Sequence, residues 1–259
     1  MTDRVRLHVA DGVAVITNDH PEKHNAFDDE MDLALFEILR ELQGRNEVRA
    51  VVWRGEGKSF SSGRDVGAIG VNRTDLTHHE LMTRGHRGIL ALFDLDAPVI
   101  VACHGWTLGG SFQRALLCDI RIAAEGARFM LPEVGHGVIP DTGGVARLHQ
   151  ICGPGVVSDL VLTGRVMEAD EALAHGIVSR VVPPEALDDT ALEMAQRIAA
   201  APKATVKMAR RVIGRLAEPQ IRASMADELI GQTYLNRSDD FAEFRAARAE
   251  GREPNYTGS

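Results

Sequence analysis

The stretch that most limits what this chain can become is His104-Gly105-Trp106-Thr107-Leu108-Gly109-Gly110-Ser111, which follows the apolar run Pro98-Val99-Ile100-Val101-Ala102-Cys103. That run is short, rich in β-branched residues and opened by a proline, the pattern of a buried strand. Beyond the glycine pair, Phe112-Gln113-Arg114-Ala115-Leu116-Leu117-Cys118 has helical spacing. A strand that turns at glycines into a helix leaves the Gly110 N–H among the unpaired donors of a helix N-terminus. Such a donor stabilises an anion, or an oxygen that becomes negative during a reaction. Taken alone, the same pattern also describes a tight turn that needs small residues.

A second turn of this kind, Lys58-Ser59-Phe60-Ser61-Ser62-Gly63-Arg64-Asp65-Val66, follows the strand-like Ala50-Val51-Val52-Trp53. Two small-residue turns after two strands suggest two backbone donors facing one point. A third piece runs from Phe129 to Gly135 and on through Gly137-Val138-Ile139-Pro140-Asp141-Thr142-Gly143-Gly144. It sets two carboxylates, Glu133 and Asp141, among apolar residues and glycines.

The rest of the chain fits α/β layering. Val5 to Asn18 alternates around Asp11-Gly12, a hairpin signal. Asp28 to Leu42 reads as an amphipathic helix, Gly67 to Glu80 as an irregular mobile loop, and Leu81 to Leu95 as a helix. Cys118 to Ala123 and Ile177 to Val182 have strand character. Helices are expected over 185–200, 203–216, 219–235 and 239–250. With 259 residues and 44% hydrophobic content the chain buries a large core unaided. A net charge of −8 argues against a nucleic-acid binder. Cys103, Cys118 and Cys152 lie in apolar surroundings without metal spacing, as core residues of a reducing compartment do. No secretory signal or membrane-length apolar run is seen, so a cytoplasmic protein without membrane partners is the default.

The three glycine-rich segments, together with Pro21-Glu22-Lys23-His24-Asn25-Ala26 and Gly164 to Ala172 followed by Gly176-Ile177-Val178, resemble the crotonase superfamily of enoyl-CoA hydratases and isomerases. The resemblance covers nearly the whole chain. It implies an α/β fold, a crotonase-like spiral of repeated ββα units, with a core over 1–195 and a C-terminal helical trimerisation region over 196–259. It implies a homotrimer or a dimer of trimers, and a coenzyme A thioester as substrate, with no tightly bound cofactor and no metal. The backbone amides of Arg64 and Gly110 would form the oxyanion hole, donors of a kind worth roughly 3 kcal/mol each. Lys23, His24, Ala26, Ser62, Arg64, Asp65, Val66 and Gly67 would meet the CoA, with Trp106, Gly109, Gly110, Gln113 and Pro132 completing the binding site.

Departures from the family pattern carry the most information. Hydratases of the family use two glutamates flanking a water; the second matches Glu133, but the first falls on Gln113, which cannot accept and return a proton. Asp141 matches an aspartate used by isomerases of the superfamily, and desolvation would raise the pKa of both acids. Asp141 has a second reading, as the cap of a helix starting near Gly143. Arg64 stands where many relatives carry alanine. The helix at 28–42 is acidic, unlike the lysine-rich helix of RNA-binding members. Lys203, Lys207, Arg210, Arg211 and Arg215, opposite the apolar stripe Val206, Ala209, Ile213 and Leu216, read as a solvated face or as a reach towards CoA phosphates. His136 lines a pocket or packs; Ser111 has no triad around it. The leading expectation is double-bond isomerisation through Glu133 and Asp141. Hydration with a water held by Gln113, thioester hydrolysis and non-catalytic CoA-ester binding are the alternatives.

Overall fold

Asp11 and Gly12, both at positive φ (51° and 78°), close a two-residue turn between β1 (Val5–Ala10) and β2 (Val13–Asn18), as the alternation predicts. The computed structural model describes residues 2–68 and 75–258. Asp28 caps α1 (Asp29–Gly44) by accepting the Met31 N–H at 3.0 Å. The helix lays Met31, Leu35, Leu39 and Leu42 into the core. Next come β3 (Ala50–Gly55), α2 (His78–Asp94), β4 (Val99–Cys103), β5 (Trp106–Leu108) and α3 (Gly109–Leu117). They are followed by β6 (Ile120–Ala124), β7 (Arg128–Met130), α4 (Gly144–Thr163), β8 (Met167–Glu168), α5 (Ala169–Ala174) and β9 (Val181–Val182). The chain ends in α6 (Leu187–Ala200), α7 (Lys203–Leu235) and α8 (Asp239–Glu250).

The large sheet has the order β1-β2-β3-β4-β6-β9, parallel from β2 onward, and a small sheet has the order β5-β7-β8. Consecutive strands alternate between them: β4 joins the large sheet and β5 the small one, then β6 and β7 do the same. Ser61 adds a bridge to Thr107 of β5 after β3 has left the large sheet. The repeated ββα rhythm is this winding between two sheets. The larger core packs α1 to α4 on one face of the large sheet; the smaller packs Leu187, Ala191, Ala195 and Ala199 of α6 on the other. The boundary expected at 195/196 therefore falls inside a helix that covers the sheet.

Several expectations are corrected. Of the loop expected over 67–80, residues 69–74 lie outside the described residues. Its end is ordered by a capping box in which Thr77 and Glu80 exchange hydrogen bonds, so α2 starts at His78 rather than Leu81. The strand expected over 177–182 shrinks to Val181–Val182, because Ile177 and Val178 turn off the end of α5 with their amides on the Ala172 carbonyl. The helices expected over 203–216 and 219–235 are one, α7, with Pro219 inside it. The orientation of its first half is also the reverse of the expected one. Lys207 pairs with Asp96 (2.6 Å), Arg210 pairs with Asp119 (2.9 Å) and donates to carbonyls at the end of α2, and Lys203 reaches the Asn46 carbonyl. The basic face is thus the docked one, and Ile213 and Leu216 stand 62% and 81% exposed. Among the described residues no helix is long and apolar enough to cross a membrane.

Candidate active site

The two glycine-bearing turns are locked side by side. Ser61 donates its N–H to the Trp106 carbonyl and accepts the Leu108 N–H, both at 3.0 Å, and its hydroxyl lies 2.7 Å from that of Ser111. A Cβ on Gly63, which sits at φ 86°, would come within 2.8 Å of the Leu108 carbonyl oxygen, so this approach requires glycine. Gly110 is the second residue of α3, and its N–H precedes the first hydrogen bond of the helix. The Arg64 N–H has no protein acceptor among the described residues. Both donors border a cavity of about 270 Å³.

Two carboxylates line the same cavity. Pro132 and the 3-10 turn Glu133–His136 bring in Glu133; the segment between Val138 and α4 brings in Asp141. Burial raises Glu133 to about 8, and the charge of Asp141 adds to that, while the hydrogen bond from Gln113 works the other way. Glu133 Oε1 accepts the Gln113 amide at 2.9 Å, and Oε2 is buried without a partner. A Cβ on Gly109 would stand 3.3 Å from Glu133 Oε1, so the turn also leaves room for this carboxylate. Burial pushes Asp141 up as well, against the opposing influence of His86, Thr142 and Arg114. Asp141 is not the helix cap. That position belongs to Gly143, at φ 77° with no side-chain bond. Both acids keep part of their surface open to the cavity.

Gln113 is buried behind Glu133 and held at both ends. Its nitrogen donates to Glu133, and its oxygen accepts the Thr142 N–H at 2.8 Å. The Arg64 side chain turns away from chemistry, pairing with Asp29 and with Asp32 (2.8 Å) on α1. Burial disfavours this cation, but Asp32 and Asp29 outweigh that and hold it charged.

Of the remaining expected residues, Ser62, Val66, Gly109 and Pro132 line the cavity. Lys23, His24, Ala26, Asp65 and Gly67 do not; they tie two turns together beside it. Lys23 pairs with Asp65 (2.7 Å), which also accepts the Gly67 N–H, and the His24 ring meets the Ser59 hydroxyl at 2.9 Å. Trp106 is a correction: its indole lies 3.8 Å beneath the Arg128 guanidinium, outside the cavity. His136 both lines the cavity and stacks on Phe244 at 4.7 Å, and burial lowers its pKa. Among the described residues no three His, Cys, Asp or Glu side chains are grouped as a metal site.

Sequence reasoning missed His86, Glu228 and Gln232. His86 of α2 donates from Nε2 to the Asp141 carbonyl. Glu228 of α7 is buried, accepts the Gly143 N–H at 2.8 Å, and is pushed up to about 7 by burial and by the charges of Asp141 and Asp227. Gln232 accepts the Ile139 N–H at 3.3 Å. One signal was present in the sequence: Ile221, Met225 and Glu228 share a helical stripe, which sets an acid among core residues.

Residues 8–259 match the family model described as "Enoyl-CoA hydratase/isomerase". A carnitinyl-CoA dehydratase of Salmonella arizonae is 36% identical over 263 residues, covering 100% of both chains. A solved enoyl-CoA hydratase/isomerase from Pseudoalteromonas atlantica superposes with a TM-score of 0.90 at 27% identity, covering 98% of this chain and 100% of that one. Another, from Xanthobacter autotrophicus, does so with a TM-score of 0.87 at 30% identity, covering 97% and 95%. With paired donor turns, a buried acid beside them and these matches over its length, the chain belongs to the enoyl-CoA hydratase/isomerase family, on the crotonase fold.

Proposed function

We propose that this protein moves a double bond within an acyl-CoA thioester by proton transfer between Glu133 and Asp141. The observation that carries this reading is the pair of acids on one cavity, beside a Gln113 whose amide is already committed at both ends. Such an amide is not free to hold a catalytic water, which disfavours hydration through Gln113.

The thioester carbonyl would accept the N–H groups of Arg64 and Gly110, which stabilise the enolate more than the ground state. Ionised Glu133 removes a proton from C2 of a 3-enoyl ester. The electron pair passes into the enolate and returns to form the C2–C3 double bond, while C4 takes a proton from Asp141. With Glu133 raised to about 8, roughly a tenth of it is ionised at neutral pH. Lys23, His24, Ala26, Asp65 and Gly67 form the adjoining outer wall, which we assign to the nucleotide part of the CoA.

A second reading is loss of water from a 3-hydroxyacyl ester, as the name of the carnitinyl-CoA dehydratase relative suggests. The same acids would serve: Glu133 takes the C2 proton and Asp141 protonates the departing hydroxyl. Mass spectrometry of 2-enoyl, 3-enoyl and 3-hydroxyacyl CoA esters incubated in heavy water separates the two. Deuterium in a rearranged enoyl product, lost in Glu133→Gln and Asp141→Asn, supports the isomerase. Interconversion of 2-enoyl and 3-hydroxyacyl esters without rearrangement supports the lyase.

The exposed apolar face of α7, with Met208, Val212 and Leu216 at 56%, 62% and 81% exposure, is the surface we assign to contacts between copies of the chain. Sedimentation of the wild type beside Leu216→Glu tests it: a smaller species in the variant is expected.

A further inference from the structure

We infer that Glu228, with Gln232 one turn further along α7, is a positioning residue that presents Asp141 to the cavity. The inference rests on the reading of Asp141 as the second acid. Glu228 lies on the buried stripe of α7 with Ile221 and Met225, where an apolar residue would fit and a carboxylate is costly to bury. Both its oxygens are used. Oε2 accepts the Gly143 N–H at 2.8 Å, and Oε1 accepts the Ser224 hydroxyl at 2.7 Å. Gln232 Oε1 accepts the Ile139 N–H at 3.3 Å.

One helix therefore holds both ends of the arch 139–143, at whose centre Asp141 stands. Other elements hold the middle. His86 of α2 donates to the Asp141 carbonyl, and Gln113 of α3 accepts the Thr142 N–H at 2.8 Å. Four of the five residues in the arch are thus fixed through their backbone by side chains from three helices. The Asp141 carboxylate itself has only a long contact, 3.4 Å, from the Thr142 hydroxyl. An arch outside any helix or strand keeps its acid in register only through such ties. An error of about 1 Å in placing a reacting group costs up to about 100-fold in rate. The burial of an acid at 228 is accounted for by this task, since its bonds stabilise the arch rather than α7.

The test is steady-state kinetics of Glu228→Ala and Glu228→Gln on a CoA ester that the wild type turns over, with Asp141→Asn alongside. Glu228→Ala should lose about 10- to 100-fold in kcat, with KM within about threefold, because the CoA wall is untouched. Glu228→Gln should recover most of the loss, since its carboxamide oxygen can accept the Gly143 N–H. Wild-type kcat in Glu228→Ala, or equal impairment in both variants, would overturn the role. Should Glu228→Ala not fold, Gln232→Ala loosens only the Ile139 end and carries the same expected fall in kcat; no fall there overturns the role too. An active Asp141→Asn would overturn the two-acid reading and the positioning role with it. An inactive Asp141→Asn beside a fully active Glu228→Ala would overturn the positioning role alone.

Discussion

Replacing Glu133 with glutamine should make the folded chain more stable as the pH rises, while abolishing proton transfer. Burial, with the charge of Asp141 added, lifts Glu133 from the ordinary 4.5 to about 8. In the unfolded chain it ionises at its ordinary value. Between the two values the unfolded chain binds fewer protons than the folded one, so stability falls with increasing pH. The contribution is intact below about pH 4.5 and fully lost above about pH 8. Three and a half units at 1.36 kcal/mol each amount to about 5 kcal/mol, of which about 3 is lost by pH 7. Glutamine keeps the shape and the acceptor for Gln113, and never ionises. Its amine would fall where Oε2 now lies without a partner, at a cost of about 1–3 kcal/mol that does not vary with pH. The difference between variant and wild type should therefore grow by about 4 kcal/mol from about pH 5 to about pH 8.5. Urea unfolding followed by circular dichroism, at one fixed protein concentration, measures it. A difference equal at both pH values to within about 1 kcal/mol would refute the reasoning, because Glu133 would then ionise alike in both states.

Three further outcomes are expected. Gly110→Pro removes an N–H at a place where nothing lies within 4 Å of an added Cβ and where a first helical turn accepts proline; kcat should fall roughly 10²- to 10³-fold, and far less in Gly110→Ala. Equal losses in the two variants would show that the amide is not the donor. Gln113→Glu places a second carboxylate where an amide now donates to Glu133 at 2.9 Å; addition of water to a 2-enoyl ester should rise above the wild-type rate, measured by loss of enoyl absorbance, and no rise would count against the pairing. Arg64→Ala loses the ion pairs to Asp29 and Asp32, which are partly exposed; it should cost about 1–2 kcal/mol in urea unfolding, shrinking at high salt, and a salt-independent loss would point to packing instead.

What the sequence made legible is what is written in short-range geometry. Asp11-Gly12 marks its turn because few other residues adopt positive φ twice in succession, and the strand–glycine–helix turns announce their donors for the same reason. Glu133 is legible because an acid in an apolar segment is out of place. The arch was not legible. Gly143 and Ile139 are fixed by residues of α7 some 90 positions away, and the wall that holds Asp141 includes His86, about 55 positions before it. Nothing local marks those pairings. The reversed face of α7 has a similar cause. Lys207 and Arg210 look solvated on a helical wheel, and only the fold shows Asp96 and Asp119 waiting for them. Pro219 looks like a helix start, since the cost of a proline within a helix is local while the packing of Ile221 and Met225 that holds α7 together is not.

The double attachment of Gln113 governs what happens between turnovers. A carboxamide has no proton to lend at neutral pH, so it stands as an insulator between the two acids. A cycle that lifts a proton onto Glu133 and draws one from Asp141 leaves the protein charged the wrong way round, and the bridging side chain cannot carry the proton back. The free protein therefore exists in two forms, one set for substrate and one for product. It must be reset through the mouth of the cavity before it can run again in the same direction. Such a catalyst remembers which way it last worked, and buffer acids small enough to enter would help it forget.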